Sequence, residues 1–268
     1  MTHRDSATLR ALVTGATGGI GRATCFQLIE AARARGLVLR IVAAASKAGP
    51  GLDTLVAQLN QAGAQATGFA ADLTDIAACE QLGTAAVAVC GGLDILVSNA
   101  GITRSAPLAD LTPQDWELVF NVDVRATWLI ARTLRKALAE SHGAIVAVGS
   151  VSALFPFPGL GAYSPAKAAL LMLCRQLAQE WAHEGIRVNT VSPGLIRTPL
   201  SEPIYSNEDI LRQRMEMVPI GRIGTPEDVA RAIVYLAGPG ADYATGIDLR
   251  LDGGLADRAL ATVPGKPR

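Results

Sequence analysis

Arg10-Ala-Leu-Val-Thr-Gly-Ala-Thr-Gly-Gly-Ile-Gly21 decides how the rest of the chain reads. A short apolar strand, Arg10 to Val13, runs into a glycine turn, and a helical pattern follows from about Ile20 to Ala34. Glycines at 15, 19 and 21 let the backbone come close to a pyrophosphate, and the free N–H groups of the first helical turn meet its charge. Thr14, Gly15, Thr17, Gly18, Gly19, Ile20 and Gly21 are therefore the first candidate cofactor contacts. The spacing is T-G-x-x-x-G-x-G rather than G-x-G-x-x-G, and a bare glycine turn serves equally as a structural bend. Its place directly after the first strand favours the cofactor reading.

Composition agrees with a buried sheet covered by helices. Half of the 268 residues are apolar, 18% are charged, and the formal net charge is zero. Lys and Arg form no basic run, so charge-driven binding to nucleic acid or to a membrane surface is not indicated. Cys25, Cys79, Cys90 and Cys174 make no C-x-x-C pair and read as reduced core residues. His3, His142 and His183 are isolated, so no metal site is expected. The polar start of the chain does not resemble a signal peptide, and the long uncharged stretch after His142 is broken by glycine and proline. A cytoplasmic protein is expected.

Further strands each deliver candidate residues at their carboxyl ends. Leu37 to Ala45 ends at Ser46 and Lys47. An acid at this point binds the ribose of NAD, whereas a base suits the 2′-phosphate of NADP. Asp and Glu are absent from Ala31 to Leu52. A helical pattern from about Leu52 to Gln61 precedes a strand, Thr67 to Ala71, closed by Asp72 and Leu73. Asp72 either caps the next helix or contacts an adenine. Asp94 to Val97 delivers Ser98-Asn99-Ala100-Gly101 on the side where ligands bind in open parallel sheets. A helix is expected from Thr112-Pro113 to about Glu140. Ala144 to Val148 leads into Ser150-Val-Ser-Ala-Leu-Phe-Pro-Phe-Pro-Gly-Leu-Gly-Ala-Tyr-Ser-Pro-Ala-Lys167, where a helix to about Glu184 begins.

Tyr163 and Lys167 lie four residues apart on that helix, so they share a face. A free phenol is a poor base near neutrality, and an ammonium within a few ångströms favours the phenolate. With the Ser150 hydroxyl, the set suits polarising a carbonyl oxygen and exchanging a proton with it. Phe155, Phe157 and Leu160 between them suggest an apolar pocket wall. Arg187 to Val191 is the sixth strand, followed by Pro193, Gly194, Ile196 and Thr198. The segment 195–222 is a candidate substrate lid with helical turns at best, in which Arg197 and Arg212 either meet an anionic substrate or face water. Another helix starts at Thr225-Pro226, and the last strand lies within Thr245 to Gly254. Residues 1–8 and 255–268 read as tails flanking one domain, 9–254.

Thr14-Gly15-x-x-x-Gly19-x-Gly21, Asp72, Asn99-Ala100-Gly101, Ser150, Tyr163-x-x-x-Lys167, Pro193-Gly194 and Asp252-Gly253-Gly254, in that order, resemble a compact short-chain dehydrogenase/reductase. The pattern is most similar to 3-oxoacyl-carrier reductases and general ketone reductases. The resemblance implies a single-domain α/β Rossmann fold, a doubly wound, mostly parallel seven-stranded sheet with helices on both faces. It implies that Tyr163 is the proton donor and acceptor, that Lys167 assists it and holds the nicotinamide ribose, and that Ser150 orients the substrate oxygen. Thr198 falls where the family contacts the nicotinamide carboxamide. The family's fourth catalytic residue, an Asn acting largely through its backbone carbonyl, falls here on Asp123. Ser98 replaces the usual first Asn of N-N-A-G, and Gly18 stands where NADP-preferring members often carry Arg.

The expected function is hydride transfer between NADP(H), with NAD(H) also usable, and a ketone or secondary alcohol. A homo-oligomer, tetramer or dimer, is expected. The alternative is a catalytically weak NAD(P)-binding sensor or assembly protein of the same fold.

Overall fold

Seven strands form one parallel sheet in the order β3-β2-β1-β4-β5-β6-β7. The computed structural model describes residues 8–199 and 201–258, so residues 1–7 and 259–268 of the expected tails lie outside the described residues. The strands are β1 (Thr8–Val13), β2 (Val38–Ala45), β3 (Gln65–Ala70), β4 (Ile95–Ser98), β5 (Ala144–Val148), β6 (Arg187–Pro193) and β7 (Asp248–Leu251). Every pairing is parallel. Central strands of a parallel sheet are covered on both faces and therefore read as continuous apolar runs. Leu9, Ala11 and Val13 pack on one face of β1 and Leu12 on the other.

The helices divide between the faces. α1 (Gly19–Ala34), α2 (Pro50–Gln61) and α9 (Pro226–Ala237) cover one through Leu28, Leu55, Leu59 and Ile233. α3 (Ile76–Cys90), α5 (Ala126–Ser141) and α6 (Tyr163–Trp181) cover the other through Leu82, Leu134, Leu138 and Leu170. All four cysteines are buried and unpaired in these cores. Among the described residues no helix is long and apolar enough to cross a membrane, and no cluster of acidic, His or Cys side chains could hold a metal.

The order reverses between β1 and β4, and a crevice opens beyond their carboxyl ends. Thr225 caps α9 with a reciprocal Thr225–Asp228 box, and Thr112 caps α4 (Pro113–Phe120).

The structure departs from the sequence expectation in three places. The helix expected to run unbroken to Glu140 is α4, a π turn at Asn121–Arg125, and then α5. One wider turn leaves the apolar period on either side intact, so the pattern passes over it. The segment expected to hold helical turns at best contains α7 (Glu202–Tyr205) and α8 (Glu208–Met217), the second capped by the Asn207 side chain. No α8 residue is buried, which removes the periodic signal. Finally, Asp75 rather than Asp72 caps α3.

Candidate active site

The crevice is a cleft of about 600 Å³ lined from the carboxyl ends of the strands. On its β1 side, Gly15 adopts φ +62°, and a Cβ there would lie 2.9 Å from the Asn99 amide nitrogen. That amide donates to the carbonyls of Thr14 (3.0 Å) and Gly15 (3.1 Å), while the Thr14 hydroxyl accepts from the backbone N–H groups of Asn99 and Ala100. The two loops are thereby clamped together. α1 then begins at Gly19, after an N-cap glycine, Gly18, that offers no side-chain cap, and with no acid in its first turn. Uncapped N–H groups over a glycine turn fit the diphosphate of a dinucleotide by both hydrogen bonding and the helix dipole. Thr14, Gly15, Thr17, Gly18, Gly19 and Ile20 line the cleft. Gly21 does not; it lies behind the turn, where a Cβ would fall 2.2 Å from the Gly15 carbonyl oxygen.

At the end of β2, Ala44, Ala45 and Ser46 line the cleft, whereas Lys47 is exposed and outside the lining. No acid replaces it: among the described residues the charged ones of the wall are Asp72, Arg104 and Lys167. Asp72 and Leu73 follow β3. The Asp72 carboxylate accepts from the backbone N–H (2.9 Å) and hydroxyl (2.8 Å) of Thr74. Those two bonds, the backbone one first, hold it below the usual carboxylate range. Asn99, Ala100 and Gly101 line the middle of the cleft. The Ser98 hydroxyl lies outside it, bonded to Thr127 on α5 at 2.7 Å.

Ser150, Tyr163 and Lys167 meet in the same cleft. β5 ends at Val148 and brings up Ser150, which is buried and accepts from the Ser152 N–H at 3.1 Å. α6 starts at Tyr163 itself. One turn on, the Lys167 ammonium lies 5.5 Å from the tyrosine ring centroid and donates to the Val148 carbonyl at 3.0 Å. Asp123, buried on the π turn behind the wall, places a carboxylate oxygen 3.1 Å from the same nitrogen. Burial pulls the lysine's proton affinity down, but Asp123 and then Tyr163 oppose it and leave the ammonium above its ordinary range.

Pro193, Gly194, Ile196 and Thr198 supply the β6 wall. Gly194 packs on Asp252, whose carboxylate accepts from Gly254 and Ala256, so the Asp252-Gly-Gly segment braces this wall from behind. Ile102, Thr103, Arg104, Leu118 and Val122 also line the cleft and were not singled out by sequence. Their signal was present: three follow Gly101 directly, and the other two are four residues apart across the π turn. Phe155 and Phe157 are exposed and, like Leu160, do not line it. Arg197 pairs with Glu202 and Arg212 with Asp209, both outside the lining.

Residues 15–256 match a family model described as enoyl-(acyl carrier protein) reductase. The chain is 35% identical over 246 residues to the 3-oxoacyl-[acyl-carrier-protein] reductase FabG of Vibrio harveyi, covering 91% of this chain and 96% of that one. It is 35% identical over 250 residues to dehydrogenase/reductase SDR family member 4 of Sus scrofa, covering 92% and 87% of the two chains. The Pseudomonas aeruginosa RhlG/NADP active-site complex superposes with a TM-score of 0.85 at 31% identity, over 93% of this chain and 97% of that one.

Proposed function

The chain belongs to the short-chain dehydrogenase/reductase family, oxidoreductases of CH–OH and C=O groups that use NAD(P), and we propose that it interconverts a ketone and a secondary alcohol with Tyr163 as acid and base. The observation that carries this reading is the meeting of Ser150, Tyr163 and Lys167 in one cleft with the glycine turn. In this reading the glycine turn and the start of α1 hold the diphosphate, Ser46 the adenosine ribose, with exposed Lys47 outside the wall as counter-charge to a 2′-phosphate, and Asp72 with Leu73 the adenine. Asn99 to Gly101, Pro193, Gly194, Ile196 and Thr198 surround the nicotinamide end. When bound, the nicotinamide supplies or accepts the hydride.

The chain's own residues handle the oxygen. The Ser150 hydroxyl donates to the substrate oxygen and sets its direction. The Tyr163 hydroxyl gives its proton to that oxygen as negative charge develops there, and takes it back in the oxidative direction. Lys167 places positive charge beside the tyrosine, stabilising the anion left once the proton has moved. Segment 195–222, through Ile196, Thr198 and Pro199, closes over the substrate. Homo-oligomerisation, as a tetramer or a dimer, belongs to the same reading. It is motivated by exposed Trp128 on α5 and Met172 on α6, and sedimentation at micromolar concentration tests it.

NADP(H) is the favoured cofactor, because no carboxylate lines the cleft at the end of β2 to repel a 2′-phosphate. The test of the catalytic reading is Tyr163→Phe, assayed by NAD(P)H absorbance on a panel of ketones and secondary alcohols. Turnover is expected to fall about 100-fold or more with cofactor affinity retained. Retention of more than a tenth of wild-type turnover favours instead a protein that binds NAD(P) without using this tyrosine.

A further inference from the structure

Lys167 is a charged side chain with almost no access to water: 3% of it is exposed, and none of the Asp123 side chain that faces it. An ammonium in such a place ordinarily gives up its proton, because burial penalises the charged form. The hydrogen bond from Nζ to the Val148 carbonyl offers a dipole but no charge. Asp123 is fixed opposite it by a second bond, in which its Oδ1 accepts from the Ile102 N–H at 2.8 Å. The π turn brings that carboxylate inward, and Gly101 packs against the pair. A Cβ on Gly101 would lie 3.0 Å from Asp123 Oδ2 and 3.2 Å from Lys167 Nζ. An asparagine in place of Asp123 would keep the Ile102 bond and lose the charge.

We propose that Asp123 is a positioning residue that acts through Lys167: its carboxylate is the counter-ion that keeps the buried ammonium charged and aimed at Tyr163. Other groups around the lysine do not substitute for it. Cys174, two helical turns further along α6, is a buried thiol pushed up to about 12 and therefore neutral. Arg125, on the same π turn, donates to the Thr74 carbonyl. Arg104 at the cleft wall pairs with Asp115, and Asp72 is engaged by Thr74. The consequence for catalysis rests on the reading of Tyr163 and Lys167 given above; the charge state of Lys167 does not.

The first test therefore needs no activity. The chain has four lysines, at 47, 136, 167 and 266, so the NMR spectrum of cofactor-free protein labelled at lysine Cε is simple, with Lys167→Arg assigning the signal. Lys167 should titrate above the ordinary lysine range in the wild type. In Asp123→Asn it should titrate at least about one pH unit lower. Asp123→Ser serves the same comparison if the asparagine variant is not recovered folded. An unmoved or raised midpoint overturns the proposal. The second test is turnover against pH. The deficit of Asp123→Asn should grow about twofold between pH 7 and that variant's own lysine midpoint, where half of the ammonium has lost its proton, whereas a purely structural role leaves the ratio flat. A flat ratio together with an inactive Tyr163→Phe defeats the role of Asp123 alone. An active Tyr163→Phe defeats the catalytic reading and leaves the NMR result to decide the counter-ion.

Discussion

Gly21 is the position at which the glycine motif can be tested apart from any ligand contact, because it does not line the cleft. In Gly21→Ala the new Cβ falls 2.2 Å from the Gly15 carbonyl oxygen and 2.7 Å from the Asn99 amide nitrogen. Neither neighbour is a free side-chain end: one is backbone, and the other is committed to the Thr14 and Gly15 carbonyls. Either α1 backs away from the turn or the turn opens. Overpacking of this kind costs about 1–3 kcal/mol, and so close an approach belongs at the upper end. Replacing glycine by alanine inside a helix returns at most about 1 kcal/mol. The net loss is therefore about 2 kcal/mol, or about 4–8 °C in Tm for a chain of this size. The displaced N–H groups should also weaken NADP(H) binding by about tenfold or more, read by calorimetry. If Gly21→Ala melts within 1 °C of wild type and binds NADP(H) equally well, the clamp between the two loops is not what the glycine protects.

Two further outcomes are expected. Lys47 is exposed and beyond the cleft lining, so it should give NADP(H) a preference on the order of tenfold in kcat/KM, largely lost in Lys47→Ala; a wild-type preference for NAD(H) refutes this. Asp228, hydrogen-bonded first by Arg222 and also by the Thr225 backbone and Arg231, is held down to about 2 from 3.8. A lowered folded-state value stabilises above the unfolded one and is lost as pH falls towards about 2, so the Tm gap between wild type and Asp228→Asn should close over that interval.

How far the sequence carries the fold follows from burial. β1, β2, β4 and β5 are read easily because both of their faces are covered and each is a largely apolar run bounded by turn residues, whereas β6, equally covered, also buries Asn189, Thr190 and Ser192. β7 is only half-buried, and its position within Thr245 to Gly254 is correspondingly loose. The cleft residues are legible where they sit at strand ends, since a parallel sheet sends every carboxyl end to the same side. Lys47 illustrates the limit: β2 ends at Ala45, and beyond a strand's end adjacency in sequence no longer decides which residues reach the wall, so Ser46 lines it and Lys47 does not.

The π turn is the instructive case of the opposite kind. Apolar residues recur on schedule from Trp116 through Leu138, so periodicity alone reports one helix. The observable that marks the interruption is chemical: an aspartate sits within a run whose neighbours are half-buried or buried, and a buried carboxylate without a cation is untenable. Such a residue predicts a partner of opposite charge on a facing element, and Lys167 is the one lysine that the sequence places beside a catalytic candidate. The pairing therefore follows from charge where the turn does not follow from pattern. The same logic assigns Asn99 differently from its neighbours, for its amide is spent on the Thr14 and Gly15 carbonyls. Its substitution should loosen the turn as Gly21→Ala does, from the other side of the same contact.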